Sequence, residues 1–317
     1  MKNLEELKAY YDRALLPELN VLETERKKVL EKIFMATLVM VAVWAVFIIL
    51  ALKLSDQFAV FAAISGLVVW YAVFAFLTRG YVSNFKTGVI DKIVKFIDDK
   101  LVYSKFGKVS QELFSMSRIY NQRIDIYRGD DYVSGMLGRT RVEFSEIHVL
   151  YETRDSKGRR HEHTVFKGLF FVGDFNKRFK GNTVVLPDTA EKLLGHVGTF
   201  LQSKNPARGQ LVKLEDPDFE KLFVVYGNDQ IEARYILSTS LMKRIVDFQK
   251  KTGRRISLSF VGSRVFVAVP YRRDLFEPRV FRTVLNFAPI QEYYEDLQLA
   301  VDIVDDLNLN TRIWTKK

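Results

Sequence analysis

An α+β fold, carried behind an N-terminal helical head and a two-helix transmembrane hairpin, is predicted for this 317-residue chain by three observations. Two uncharged apolar runs, residues 33–52 and 58–77, stand five residues apart near the start of a chain that is otherwise polar and charged. From about residue 121 the apolar spacing changes from helical to alternating. The strand clusters there are separated by helices without regular βαβ alternation, the signature of a mixed sheet-and-helix domain.

The head, residues 1–32, reads as two helical pieces. Leu4, Leu7, Tyr11 and Leu15 mark the first, and Leu19, Leu22, Val29 and Phe34 the second, at three-, four- and near-heptad spacing. Pro17 separates them and suits the first turn of the second piece, which is expected to run toward the membrane. Its stripe would pack on a partner helix, on the rest of the chain or on a second copy.

Each apolar run has 20 residues, and at about 1.5 Å per helical residue each spans roughly the 30 Å of a bilayer's hydrocarbon core. The connector Lys53-Leu54-Ser55-Asp56-Gln57 is too short to be a domain, so both ends of the hairpin (33–77) face one side. Arg26, Lys27, Lys28 and Lys32 precede the first span, and Arg79, Lys86, Lys92 and Lys95 follow the second. The positive-inside rule therefore predicts a multi-pass inner-membrane protein with both termini cytoplasmic. A cleaved signal peptide fits poorly, because the first run is too long and a second follows at once.

Residues 78–120 read as an amphipathic juxtamembrane helix, with Phe85, Val89, Ile93, Phe96, Ile97 and Leu101 on one side. Lys86, Lys92 and Lys95 punctuate it, and it would either pack against the domain or lie on anionic lipid. The net charge of +10 falls entirely beyond the hairpin, since the head has seven basic and seven acidic side chains and the connector balances. The absence of cysteine excludes thiol catalysis and thiolate metal sites, and suits a reducing compartment.

The cytoplasmic domain, residues 121–317, should open with strands over 122–127, 141–153 and 161–172, divided by Arg128-Gly129-Asp130 and by Asp155-Ser156-Lys157-Gly158. A short strand over 181–186 leads to a helix over 189–203. A turn at Asn205-Pro206-Ala207-Arg208-Gly209 marks a boundary, near 204–209, between two subdomains. Strands over 210–214 and 223–226, a helical stretch over 229–251, a hairpin turning on Gly262-Ser263 and a closing acidic helix over 290–307 complete the expectation.

Chemical motifs are sparse. No phosphate loop, His-Glu-x-x-His, Gly-x-Ser-x-Gly or dinucleotide turn occurs. His161 and His163 alternate on one strand face and could share a divalent metal if His148 or Glu143 supplied a third ligand; the commoner reading is an exposed polar hairpin end. His196, in an apolar helix, reads as structural. The basic and aromatic run from Phe166 to Lys180 reads as core aromatics with solvated lysines, and nucleic acid is disfavoured. Arg159-Arg160, Arg254-Arg255 and Arg272-Arg273 fall near strand or loop ends, where they could dock lipid or an acidic partner if gathered on one face.

The chain resembles a bacterial family catalogued as domain of unknown function 3137. The likeness rests on Tyr10-Tyr11, Leu16-Pro17 and Leu22-Glu23, on Asp130-Asp131-Tyr132-Val133 with Gly135, and on Phe166-Lys167-Gly168-Leu169-Phe170. It continues through Val185-Leu186-Pro187-Asp188, Leu214-Glu215-Asp216-Pro217-Asp218-Phe219, Glu232-Ala233-Arg234-Tyr235-Ile236-Leu237 and Asp274-Leu275-Phe276-Glu277-Pro278. The resemblance implies an inner-membrane protein with a cytoplasmic domain, no catalytic residues to carry over, and genes often beside those of LemA-like membrane proteins. Within these motifs, Arg234 is either fixed by Glu232 or Asp229 or binds an anionic ligand, and Leu275 and Phe276 read as packing under a turn.

The expected role is a non-enzymatic membrane-anchored adaptor or scaffold that binds a protein partner, which the resemblance suggests is LemA-like, or self-assembles into a homo-oligomer. The alternatives are an anionic-lipid-binding module and a hydrolase or metal-dependent enzyme. No cofactor is expected. Lys86, Lys92, Lys95, Arg159, Arg160, Arg234, Arg272 and Arg273 are the candidate partner or lipid contacts.

Overall fold

The computed structural model describes residues 3–53, 55–175, 178–188, 204–205 and 208–310. Two compact units are formed, one by Met1–Ile93 with Phe276–Tyr293, the other by Val94–Leu275 with Tyr294–Lys317.

In the first unit, Asn3 opens α1 (Leu4–Tyr10) with a reciprocal capping box: Glu6 N–H donates to Asn3 Oδ1 at 2.8 Å and Asn3 N–H to Glu6 Oε2 at 2.9 Å. A π-helical turn, Tyr11–Leu15, leads into α2 (Leu16–Leu52), where Pro17 sits in the first turn and its missing N–H costs nothing. This helix runs unbroken from the head through the first apolar run. The second run lies in α3 (Asp56–Phe85), which a further π turn, Lys86–Ile90, joins to α4 (Asp91–Ile97).

Both α2 and α3 are long and apolar enough to cross a membrane, and their most apolar stretches are almost entirely uncovered by protein. The two helices are held together by reciprocal tryptophans. Trp44 Nε1 donates to the Ala62 carbonyl at 2.8 Å, and Trp70 Nε1 to Thr37 Oγ1 at 3.0 Å. Opposite Trp44 stands Gly66, where a Cβ would fall 2.3 Å from the indole.

The head's stripe of Leu7, Tyr11, Leu15, Leu19, Leu22 and Val29 is buried. It packs within its own chain, partly on the returning segment 276–293. Tyr11 OH donates to the Leu285 carbonyl at 2.6 Å, and its ring meets Phe287 edge-on at 5.2 Å.

The second unit is built on one antiparallel sheet. Its strands are β1 (Leu101–Ser104), β2 (Ile126–Leu137), β3 (Thr140–Arg154), β4 (Arg160–Asp174), β5 (Asn182–Pro187), β6 (Lys204–Asn205), β7 (Gly209–Val212), β8 (Phe223–Gly227), β9 (Ser257–Val261) and β10 (Arg264–Pro270). They lie in the order β1-β2-β3-β4-β10-β9-β5-β8-β7-β6. The expected hairpins turn at Gly158 and Gly262, both at positive φ, where glycine carries no Cβ penalty. Helices α5 (Gln111–Met116), α6 (Pro217–Glu220), α7 (Gln230–Ile236), α8 (Thr239–Thr252) and α9 (Phe287–Asp306) complete the α+β architecture. One core cluster gathers Phe114, Ile147, Phe166, Phe170 and Phe266. The aromatics of the basic and aromatic run thus fill a core, as expected.

Several boundaries differ from the sequence reading. The helix expected over 78–120 stops at Ile97, because Asp98 Oδ1 accepts the Lys100 N–H at 2.9 Å and turns the chain, and Leu101 then pairs with Gly135. Residues 128–130 are not a divider but lie within β2. Strand β5 pairs with β9 on one side and β8 on the other. The helical stretch over 229–251 is two helices, since Leu237 leaves helical geometry and Ser238 caps α8. The helix expected over 189–203, with His196, lies outside the described residues, as do Asn176 and Lys177.

Candidate functional site

Alternation along paired strands brings Asp130 of β2 directly opposite Glu146 of β3. The register shifts between Asp130 and Val133, and at this bulge Asp131 adopts φ +56. Asp131 is buried and accepts a hydrogen bond from the Tyr103 hydroxyl of β1. Glu146, also buried, accepts the Leu275 N–H at 2.8 Å. One carboxylate oxygen from each of Asp130, Asp131 and Glu146 lies within 4.8 Å of the others.

Burial pushes the Glu146 carboxyl up to about 8; the Leu275 N–H opposes the shift, and Asp130, Asp274 and Asp131 reinforce it. At neutral pH Glu146 therefore mostly keeps its proton. Three carboxyls so placed can share a proton, and their oxygens are the donor type that hard divalent cations take. The sequence signal for this cluster was the Asp130-Asp131-Tyr132-Val133 motif; Glu146 carried none, because its position depends on cross-strand register.

A second polar cluster surrounds the buried Tyr271, which follows β10. The Arg254 guanidinium lies 3.8 Å from its ring centroid and that of Arg273 5.9 Å away. Arg254 Nη1 donates to the Pro270 carbonyl at 3.3 Å, and Arg273 Nη2 to Asp296 Oδ2 at 2.5 Å. Burial raises the Asp296 carboxyl, against the Arg273 charge. Members of two arginine pairs thus meet at one tyrosine. The third does not join them: at the tip of the β3–β4 hairpin, Arg159 pairs with Asp155 at 3.2 Å and Arg160 with Glu152 at 3.7 Å. Arg272 is exposed.

The other candidates fall into different surroundings. Lys86 is buried, with its Nζ 2.7 Å from Glu277 Oε1, so it is not presented to lipid or a partner. Its place among the lysines of a segment that reads as amphipathic concealed this, because Glu277 lies far away in sequence. Lys92 pairs with Glu18 at 2.8 Å, and Lys95 is exposed. Arg234 reaches the Lys213 carbonyl at 3.3 Å and Gln230 Oε1 at 3.5 Å. The carboxylates expected to hold it are engaged with backbone: Glu232 accepts the N–H groups of Lys180 and Gly181, while Asp229 caps α7 through those of Ile231 and Glu232.

His161 and His163 are exposed on one strand, but each has its own neighbour. His161 Nε2 lies 3.5 Å from Asp155 Oδ2; His163 Nε2 lies 2.8 Å from Thr153 Oγ1, and its ring stacks on Tyr151. The expected third ligands stand elsewhere. His148 is opposite Lys167, and Glu143 is opposite Val172, where it accepts from Tyr132 OH at 2.9 Å.

Residues 164–309 match the family model described as "Protein of unknown function (DUF3137)". These residues belong to the DUF3137 family. The DUF3137 region takes in Tyr271, Arg273 and Asp296 but begins after Asp130, Asp131 and Glu146. No curated protein matches the chain. A solved structure, that of the mycobacterial trehalose monomycolate transport factor A, TtfA, is similar at 11% identity over 68% of this chain and 93% of that one, with a TM-score of 0.32.

Proposed function

We propose that the chain is a non-catalytic inner-membrane adaptor, whose hairpin holds the α+β unit at the cytoplasmic face to bind a protein partner or a second copy. The observation that carries the reading is the state of the most apolar stretches of α2 and α3: almost entirely uncovered, yet joined to each other by the Trp44 and Trp70 hydrogen bonds. Uncovered apolar surface on this scale needs lipid or protein around it. The basic residues flanking both spans favour the cytoplasmic side for the ends. The charged clusters of the second unit support a structural role, since Arg273, Asp296, Asp131 and Glu146 are bonded within the chain.

The absence of native cysteine makes the test direct. Single cysteines at Ser55, Lys8 and Ser156 are labelled with an impermeant maleimide in sealed membrane vesicles of known orientation. Ser55→Cys should react only from the outer side, and Lys8→Cys and Ser156→Cys only from the cytoplasmic side. Labelling of all three from one side overturns the topology. Recovery of a bare monomer from gentle detergent, with no associated protein, overturns the adaptor role.

A further inference from the structure

The returning segment of the first unit carries a feature that the adaptor reading leaves unused. Phe281 is 65% exposed, between Arg279 and Arg282, in a turn whose two stems are fastened to the head. Arg26 Nη1 donates to the Val280 carbonyl at 3.1 Å, and the Val284 N–H donates to Glu23 Oε2 at 3.1 Å. Glu23 and Arg26 are themselves buried and paired. The turn is therefore pinned on both sides of an aromatic ring that faces outward.

That ring is not isolated. Trp70 stacks on Phe74 at 5.5 Å between centroids, and Phe74 stacks on Phe281 at 5.8 Å with the planes 13° apart. Trp70 and Phe74 lie one turn apart in the second apolar run. The aromatic ladder thus continues from the span onto the turn. Exposed basic residues stand on the turn, at Arg282, and beside the ends of the two apolar runs in sequence, at Arg79, Lys28 and Lys32. Arg279 pairs with Glu292 at 2.8 Å.

From this geometry we infer that the 279–283 turn is an interfacial anchor, with Phe281 seated among the headgroups of the cytoplasmic leaflet and Arg282 facing anionic phospholipid. The inference rests on the membrane-spanning reading above. Aromatic rings are favoured at the boundary between headgroups and acyl chains, and a basic residue beside them gains from anionic lipid. A ring stacked on a residue of the span is held near that boundary, because Phe74 precedes the end of the apolar run by about one turn. The anchor would fix the rotation of the hairpin and keep the segment that follows the Asp274-Leu275-Phe276-Glu277-Pro278 motif at the membrane surface.

The test uses the full chain in vesicles of phosphatidylcholine with phosphatidylglycerol. A nitrobenzoxadiazole probe is attached to Phe281→Cys, to Arg282→Cys as a neighbouring site, to Leu67→Cys in the span, and to Lys8→Cys in the head. Nitroxides on the lipid headgroup or deep in the acyl chain then quench it. Probes at 281 and 282 should be quenched most by the headgroup nitroxide, that at 67 by the deep one, and that at 8 by neither. Replacing Arg282 with Gln in the Phe281→Cys chain should reduce headgroup quenching in anionic vesicles only.

Probes at 281 and 282 that behave like that at 8, while 67 is quenched, overturn the anchor and leave the spans standing. An unquenched probe at 67 overturns the membrane reading and the anchor with it. A probe at 281 shielded from aqueous iodide yet untouched by either nitroxide means that protein covers the turn, and also overturns the anchor.

Discussion

Arg26 grips Glu23 through two hydrogen bonds one turn apart on α2, Nε to Oε2 at 2.9 Å and Nη2 to Oε1 at 2.6 Å, with both side chains buried. Each partner also fastens a stem of the returning segment, through Val280 and Val284. Removing one member of such a pair strands the other charge without water, at a cost of about 3–5 kcal/mol. Arg26→Met should therefore lower thermal stability in detergent strongly and expose residues 276–286 to protease. The double replacement Glu23→Leu with Arg26→Met should cost less than Arg26→Met alone, because no naked carboxylate remains, although the Val280 carbonyl and Val284 N–H lose partners worth about 1–3 kcal/mol each. A double variant as unstable as the sum of the two singles would show that the ions do not act as a pair.

Two glycines of α3 make a contrast. At Gly66 an added side chain meets the Trp44 indole, whereas at Gly80 nothing stands within 4 Å. Gly66→Leu should displace Trp44 from the Ala62 carbonyl, shift tryptophan emission and destabilise the helix pair. Gly80→Leu should be neutral or stabilising by up to about 1 kcal/mol, from helix propensity alone. Equal melting temperatures for the two variants would mean that α2 and α3 do not depend on this contact.

The elements that were legible in the sequence were those written locally. Twenty residues without a charge mark a helix long and apolar enough to cross a membrane, and Asp155 to Gly158 and Gly262-Ser263 mark turns by their own backbone preferences. What stayed hidden was written across distance. Lys86 reads as an outward lysine until Glu277 arrives beside it, and Glu23 and Arg26 read as head surface until residues 280–284 return over them. The acidic cluster was hidden for a third reason. Period-two alternation places Asp130 and Glu146 each on a face, but only register and the bulge before Val133 bring Asp131 alongside them.

The β4 histidines of the β3–β4 hairpin lie exposed at a polar hairpin end, the commoner of the two readings their spacing allows. His161 and His163 share a strand face, yet one sits by Asp155 and the other by Thr153 and Tyr151. Zinc added to the purified chain should give no saturable heat, whereas a built structural site binds with about 10–16 kcal/mol. The double replacement of both histidines by Ala should change stability by less than about 0.5 kcal/mol, as for exposed side chains elsewhere. A stoichiometric zinc heat, abolished by the double variant, would restore the metal reading.

Glu146 gives the fold a pH dependence of unusual sign for a carboxyl. Its folded value of about 8 lies above the ordinary 4.5, so between these limits the folded chain binds a proton that the unfolded chain has released. Stability with respect to this group is greatest below about 4.5, falls as pH rises, and levels off above about 8, with a slope of at most about 1.4 kcal/mol per pH unit. The paired and hydrogen-bonded carboxylates Asp125 and Asp155, held below their usual range by backbone N–H groups, act in the opposite direction only at acid pH. Glu146→Gln keeps the acceptor for the Leu275 N–H and cannot ionise. Unfolding midpoints of wild type and Glu146→Gln should therefore converge near about pH 5 and separate toward about pH 9, with the variant the more stable. A constant difference across that range would show that Glu146 is ionised in the folded chain, held by a counter-charge.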